Sequence, residues 1–151
     1  MRLIILSVLI LLFYEEALLG QITNLNLDKS NKAIQGYDPV SYFTENKAIK
    51  GSREFALSHQ GVVYWFKNLK NKNEFQKDPS KFQIAYGGWC AYAMGESGNK
   101  VKIDPETFKL VDGKLLLFYN FYFTNTLTKW NEDESNLKVK ADENWKKTID
   151  F

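Results

Sequence analysis

Two turn dipeptides constrain this chain more than any other feature. Gln60-Gly61 separates Arg53–His59 from Val62–Phe66, and Asp112-Gly113 separates Thr107–Val111 from Leu115–Tyr119. A two-residue connection whose second member is glycine suits the left-handed turns that join antiparallel strands. The flanking runs alternate as half-buried strands do. Phe55, Leu57 and His59 share one face; Val62, Tyr64 and Phe66 share one, with Val63 and Trp65 opposite. Two hairpins, 53–66 and 107–119, are therefore predicted in one small antiparallel sheet. Short helices should pack on it. Asp38-Pro39 places a cap before a residue suited to the first helical position, opening a helix through Tyr42-Phe43. Asn68 can cap a helix to about Lys77, with Leu69 and Phe75 as its apolar contacts. Cys90–Met94 suits a short helix, and Phe121–Trp130 and Leu137–Ile149 read as two more, with Trp145 and Ile149 on one face. Asp78-Pro79 and Asp104-Pro105 read as single turns. The fold class is α+β, a small antiparallel sheet of hairpins packed with short helices. No internal repeat is visible.

The first twenty residues stand apart. Met1-Arg2, an apolar run from Leu3 to Phe13, and Ala17-Leu18-Leu19-Gly20 follow the order of a secretory signal peptide, 1–20. The apolar run is about half of the roughly 20 residues a spanning helix needs. No stable membrane span is expected after cleavage. The expected mature chain starts near Gln21, outside the cytoplasm, secreted or periplasmic. An uncleaved anchor is the alternative, favoured by Glu15-Glu16 so near the cleavage region. Residues 21–32 form a polar lead-in rich in Asn and Lys. Removing Arg2, Glu15 and Glu16 turns the 20 basic and 18 acidic residues into 19 and 16, a net charge of +3. That charge is small and scattered, which argues against nucleic acid as a partner.

Chemistry concentrates in Tyr86-Gly87-Gly88-Trp89-Cys90-Ala91-Tyr92-Ala93-Met94. The single cysteine excludes an internal disulfide, leaving a buried thiol, a reactive thiol, a ligand or an intermolecular bridge. Cys90 and Met94, four residues apart, are soft donors on one helical face, and His59 is the only histidine. Thiolate, thioether and imidazole suit Cu(I), which needs only two or three ligands, whereas structural zinc needs four. Cys90, His59 and Met94 are therefore the candidate metal ligands. Each has a plainer reading: a buried thiol, a histidine tying down a turn, a core methionine. Tyr37, Asp38 and Trp89 are candidate cofactor- or ligand-binding residues, Asp38 as a pocket carboxylate, with Tyr86, Trp89 and Tyr92 as aromatic walls. The plainer reading of Asp38 is a helix cap.

The motifs Gly36-Tyr37-Asp38-Pro39-Val40-Ser41-Tyr42-Phe43, His59-Gln60-Gly61, Tyr64-Trp65-Phe66, Asn71–Phe75 and Asp78-Pro79 follow in order. Tyr86–Ala91, Asp112-Gly113-Lys114-Leu115, Trp130 and Ala141–Trp145 then follow. In this order the chain resembles the YHS domain family in its secreted bacterial form, over residues 33–149 of a YHS-like domain spanning 33–151. The resemblance implies metal binding, with copper as the ion, since YHS domains accompany copper-transporting ATPases and some hydroxylases. The cysteines of those relatives correspond to Ser41 and Lys67 here, and Cys90 is the thiol this chain offers instead.

Three functions are compatible with these residues. The first is a secreted YHS-like binding module for a soft metal ion such as copper or for a small ligand. The second is a structural or protein-partner module without a small-molecule site. The third is a Cys90 thiolate enzyme, the least supported: the chain has no Ser-His-Asp set, phosphate loop, HExxH or telling carboxylate pair.

Overall fold

The structure, a computed structural model, describes residues 22–150; the signal peptide predicted over 1–20 lies outside the described residues. Both hairpins form where the turns place them. Strands β1 (Ser52–His59) and β2 (Val62–Phe66) pair antiparallel, as do β4 (Asp104–Val111) and β5 (Lys114–Phe118). Gln60 (φ 49°) and Gly61 (φ 78°), like Asp112 (φ 50°) and Gly113 (φ 72°), supply left-handed backbone at the turns.

The hairpins do not share a sheet. β1–β2 stands alone, whereas β3 (Gln83–Ile84) adds in parallel to β5, giving the order β3-β5-β4. Turn chemistry fixes which strands form a hairpin but not which hairpin edges meet, and here the edge of β5 is taken by a nearer segment of chain. The Asn68 side chain accepts from Asn71 N–H and caps α2 (Leu69–Lys77); Phe75 is buried while Leu69 stays exposed. Asp38 caps α1 (Pro39–Glu45), and α3 spans Ala91–Ser97. Asp78-Pro79 opens a single 3-10 turn to Phe82. Asp104-Pro105 is not a turn: it begins β4, followed by a bulge. The predicted helix from Phe121 is also corrected. Asn120–Phe121 (β6) and Thr124–Asn125 (β7) make a small hairpin, and α4 starts only at Thr126, running to Glu132. α5 runs from Glu134 to Ile149.

An internal repeat, absent from the sequence reading, emerges from these boundaries. Residues 31–68 and 83–120 carry the same elements shifted by 52 residues: Pro39–Glu45 onto Ala91–Ser97, Ser52–His59 onto Asp104–Val111, and Val62–Phe66 onto Lys114–Phe118. The bulges, Ser52/Ala56 and Asp104/Phe108, coincide under the same shift. So do the parallel contacts Lys32↔Val63 and Ile84↔Leu115. Each unit opens with left-handed backbone, at Ile34-Gln35-Gly36 and at Tyr86-Gly87-Gly88. Its two copies share identity only at Ala33/Ala85, Gly36/Gly88, Lys50/Lys102, Glu54/Glu106, Gly61/Gly113, Phe66/Phe118 and Asn68/Asn120. Such sparse identity hides the repeat, because backbone geometry and burial are preserved by many side chains.

The two units share a core. Ala33, Ile34, Tyr42 and Val62 of the first pack with Cys90, Ile103, Leu115 and Leu117 of the second. Tyr42 is wholly buried, donates to Pro105 O at 2.9 Å and meets Phe108 edge-on at 4.8 Å. A second cluster gathers Met94, Phe118, Trp130, Leu137 and Ala141 beneath α4 and α5. A third holds Val40, Phe66, Phe75 and Phe82. The polar lead-in docks onto the second unit: Asn26 N–H donates to Gly87 O and Asn26 Nδ2 to Gly88 O, both at 2.8 Å.

Candidate functional site

The glycine-rich run does form a recess, but its cysteine faces away from it. A cleft of about 730 Å³ opens beside Tyr86-Gly87-Gly88. Equivalent positions of both units line it, among them Ala33 and Ala85, Ile34 and Tyr86, and Gln60 and Asp112. It therefore lies at the junction of the repeats, with both hairpin turns on its rim. Cleft volumes of about 300–1,000 Å³ at such junctions are typical of small-ligand sites. Tyr86 (φ 51°), Gly87 (φ 59°) and Gly88 (φ 82°) turn the floor in left-handed backbone. At Gly87 a Cβ would lie 2.6 Å from the Trp145 ring, so only glycine lets this indole reach the cleft.

His59 is half-buried in the cleft wall, its ring 5.9 Å from that of Phe75 in an edge-on contact. Tyr86 donates to Asp142 at 3.0 Å. Burial, then the Asp142 carboxylate, push this phenol well above its usual range, so it stays a donor. Lys138 bridges Asp142 and Asp112 at 3.2 and 3.3 Å, and those carboxylates raise its pKa. Asp78 is engaged by Ser80 and by Lys81. Every acid on the rim thus has a partner. Lys77 and Lys114 also line the cleft, are exposed, and pair with no carboxylate among the described residues.

The other predicted residues lie elsewhere. Cys90 and Met94 are fully buried and do not line the cleft that His59 lines. The Cys90 sulfur accepts from Tyr119 N–H and meets Thr126 Oγ1, both at 3.4 Å. Because the Thr126 hydroxyl donates to Tyr119 O at 2.9 Å, the thiol proton is the one shared with Thr126. Met94 packs with Phe118 and Trp130. Among the described residues, no three His, Cys, Asp or Glu side chains are grouped to hold a metal ion. Tyr37 donates to Glu106 at 2.9 Å, away from the cleft, and the Trp89 indole donates to Asn24 O at 2.7 Å.

Asp38 explains Cys90. The two occupy the same station of the repeat, ahead of α1 and α3. Asp38 Oδ2 accepts from Lys67 N–H, the residue after β2; Cys90 Sγ accepts from Tyr119 N–H, the residue after β5. Each then reaches the next helix, Asp38 through Asn71 and Cys90 through Thr126. The thiol is thus a tie between strand end and helix, as the carboxylate is. Accordingly, Cys90 in the native protein should not react with an aromatic disulfide reagent, and one thiol should appear on unfolding in guanidinium. Rapid native labelling would contradict this enclosure. Of the aromatic walls expected for a cleft, Tyr86 lines it and Trp89 and Tyr92 do not, nor does Asp38; the lysines and Trp145 that complete it come from segments far apart in the chain.

Comparison with protein-family models, with curated proteins and with solved structures finds no match for this chain.

Proposed function

We propose that this chain is an exported YHS-like binding module whose junction cleft takes a small organic anion with an apolar body. The observation that carries this reading is the pairing of apolar walls with uncommitted positive charge. Ile84 and Trp145 offer apolar surface, and Lys77 and Lys114 are the rim charges without a carboxylate partner among the described residues. Asp78 pairs with Lys81, and Asp112 and Asp142 share Lys138, so Lys77 and Lys114 leave the rim with a net charge of +1 that favours a negative headgroup, while His59 adds a hydrogen-bonding group. Export is supported by the leader pattern of residues 1–20, and YHS membership by the ordered motifs quoted above. A copper site built on Cys90 draws no support from the geometry, since its sulfur is already engaged and His59 faces the cleft without it.

The probe for the test is 2-naphthoate, followed by amide and indole NMR shifts. Saturable shifts should cluster at His59, Gly87 and the Trp145 indole. The double variant Lys77→Glu, Lys114→Glu should weaken binding by about tenfold or more, with the difference shrinking as salt rises. Binding that ignores this charge reversal, or no shifts at the cleft, would reject the reading.

A further inference from the structure

The two units differ in one conspicuous place. In the first, Asn68 leads directly into α2. In the second, the equivalent Asn120 enters the β6–β7 hairpin, and α4 begins only at Thr126. Residues 121–124 are therefore an insertion relative to the first unit, and Asn125 after them caps α4 as Asn68 caps α2. At its tip stand Tyr122, 89% exposed, and Phe123, 111% exposed, the two most exposed large hydrophobic side chains described. Both hold left-handed backbone, φ 50° and 63°, which bulky residues adopt at a cost. A two-residue hairpin turn of this kind favours Asn-Gly. Neither folding nor turn chemistry accounts for two aromatic rings here.

We propose that this hairpin is a wedge for the interfacial region of a lipid bilayer. Its shape is convex and its rings point away from the protein's own packing, as insertion between headgroups requires. Its composition also fits. Tyrosine and phenylalanine are followed by the exposed Thr124, whose hydroxyl can meet headgroups and water, while Asn120 and Asn125 tie the hairpin to Thr107 and to the first turn of α4. Charge favours a membrane surface over a basic partner: from Tyr119 to Trp130 the only charged residue is Lys129, and the whole chain is basic, with a pI near 8.5. A hairpin that carries no acid of its own and a positive net charge are attracted to anionic lipid, Asp104 being set behind the hairpin through Thr107 and Asn120. Phe121 braces the hairpin through an edge-on contact with Tyr119 at 5.1 Å. The wedge lies on the surface and does not span: no described helix is long and apolar enough to cross a membrane.

The test uses protein purified after export, its N terminus determined, with Phe123→Trp as a local reporter. Vesicles of mixed phosphatidylcholine and phosphatidylglycerol should shift the emission of the new indole to the blue and expose it to quenching by brominated lipid tails. The double variant Tyr122→Asn, Phe123→Gly installs the favoured turn. It should fold at least as stably as wild type, yet partition to these vesicles about tenfold less or worse. An unshifted reporter, or equal partitioning of the double variant, would overturn the proposal. So would concentration-dependent self-association without vesicles that the double variant abolishes, since the occupant would then be a second copy.

Discussion

Asp38→Ala should destabilise the protein by about 3–4 kcal/mol, measured as a lowered urea midpoint with an unchanged slope. Asp38 is fully buried and accepts three hydrogen bonds: Val40 N–H at 2.8 Å, Lys67 N–H at 2.9 Å and Asn71 Nδ2 at 2.7 Å. Alanine would strand the Val40 and Lys67 N–H donors and leave Asn71 Nδ2 only its longer bond to Ser41 Oγ at 3.3 Å. Each buried, unsatisfied donor costs about 1–3 kcal/mol, partly offset because a carboxylate no longer has to be desolvated. Such a loss is a large fraction of the roughly 5–15 kcal/mol that holds a typical domain together. Asp38→Asn keeps an acceptor for some of these donors and should cost less. The same change at the equivalent station, Cys90→Ala, should also cost less, because sulfur accepts weakly and only one backbone donor is stranded. An Asp38→Ala midpoint indistinguishable from wild type would mean that the strand end and α2 are held by other contacts.

The uneven legibility of this chain has physical causes. Both hairpins and the Asp38 and Asn68 caps were readable because each is decided within a few residues, by turn backbone or by a side chain folding back on its own helix. The β6–β7 hairpin was not: Tyr122-Phe123 carries no turn signal, and its backbone is left-handed in spite of its side chains. The separation of the two sheets was illegible because parallel pairing of β3 with β5 depends on packing between distant segments. At the site, His59 stands out in the sequence as the lone histidine and was expected as a metal ligand with Cys90 and Met94; it lines the cleft without either of them. Lys77, Lys114 and Trp145 were passed over as surface and helix residues, since nothing local distinguishes a lysine on a cleft rim from any other. Cys90 misleads for a related reason. Soft donors at helical spacing look like ligands until the repeat shows that its station is a structural tie, filled in the other unit by a carboxylate.

Gly95→Ala should destabilise by about 1–3 kcal/mol, although intrinsic helix propensity predicts the opposite sign. Gly95 lies inside α3, where alanine would normally add about 1 kcal/mol of stability. A Cβ there would stand 2.5 Å from Leu137 O and 3.1 Å from Leu137 C, both backbone atoms of α5. Backbone cannot rotate out of the way as a flexible side chain can, so the helices must separate or tilt. That strain reaches the cluster of Met94, Trp130 and Leu137. The equivalent residue of the first unit is Phe43, whose ring packs edge-on against Phe82 at 5.6 Å. One station thus carries a bulky ring where no helix crosses closely and a bare backbone where α5 does. The expected result is a lower thermal midpoint for Gly95→Ala. Because α5 also carries Trp145 and Lys138 to the cleft, its displacement should weaken 2-naphthoate binding in the same variant while the distant Tyr42 contacts persist. A raised midpoint would show that α3 and α5 sit farther apart than the contact at Leu137 implies.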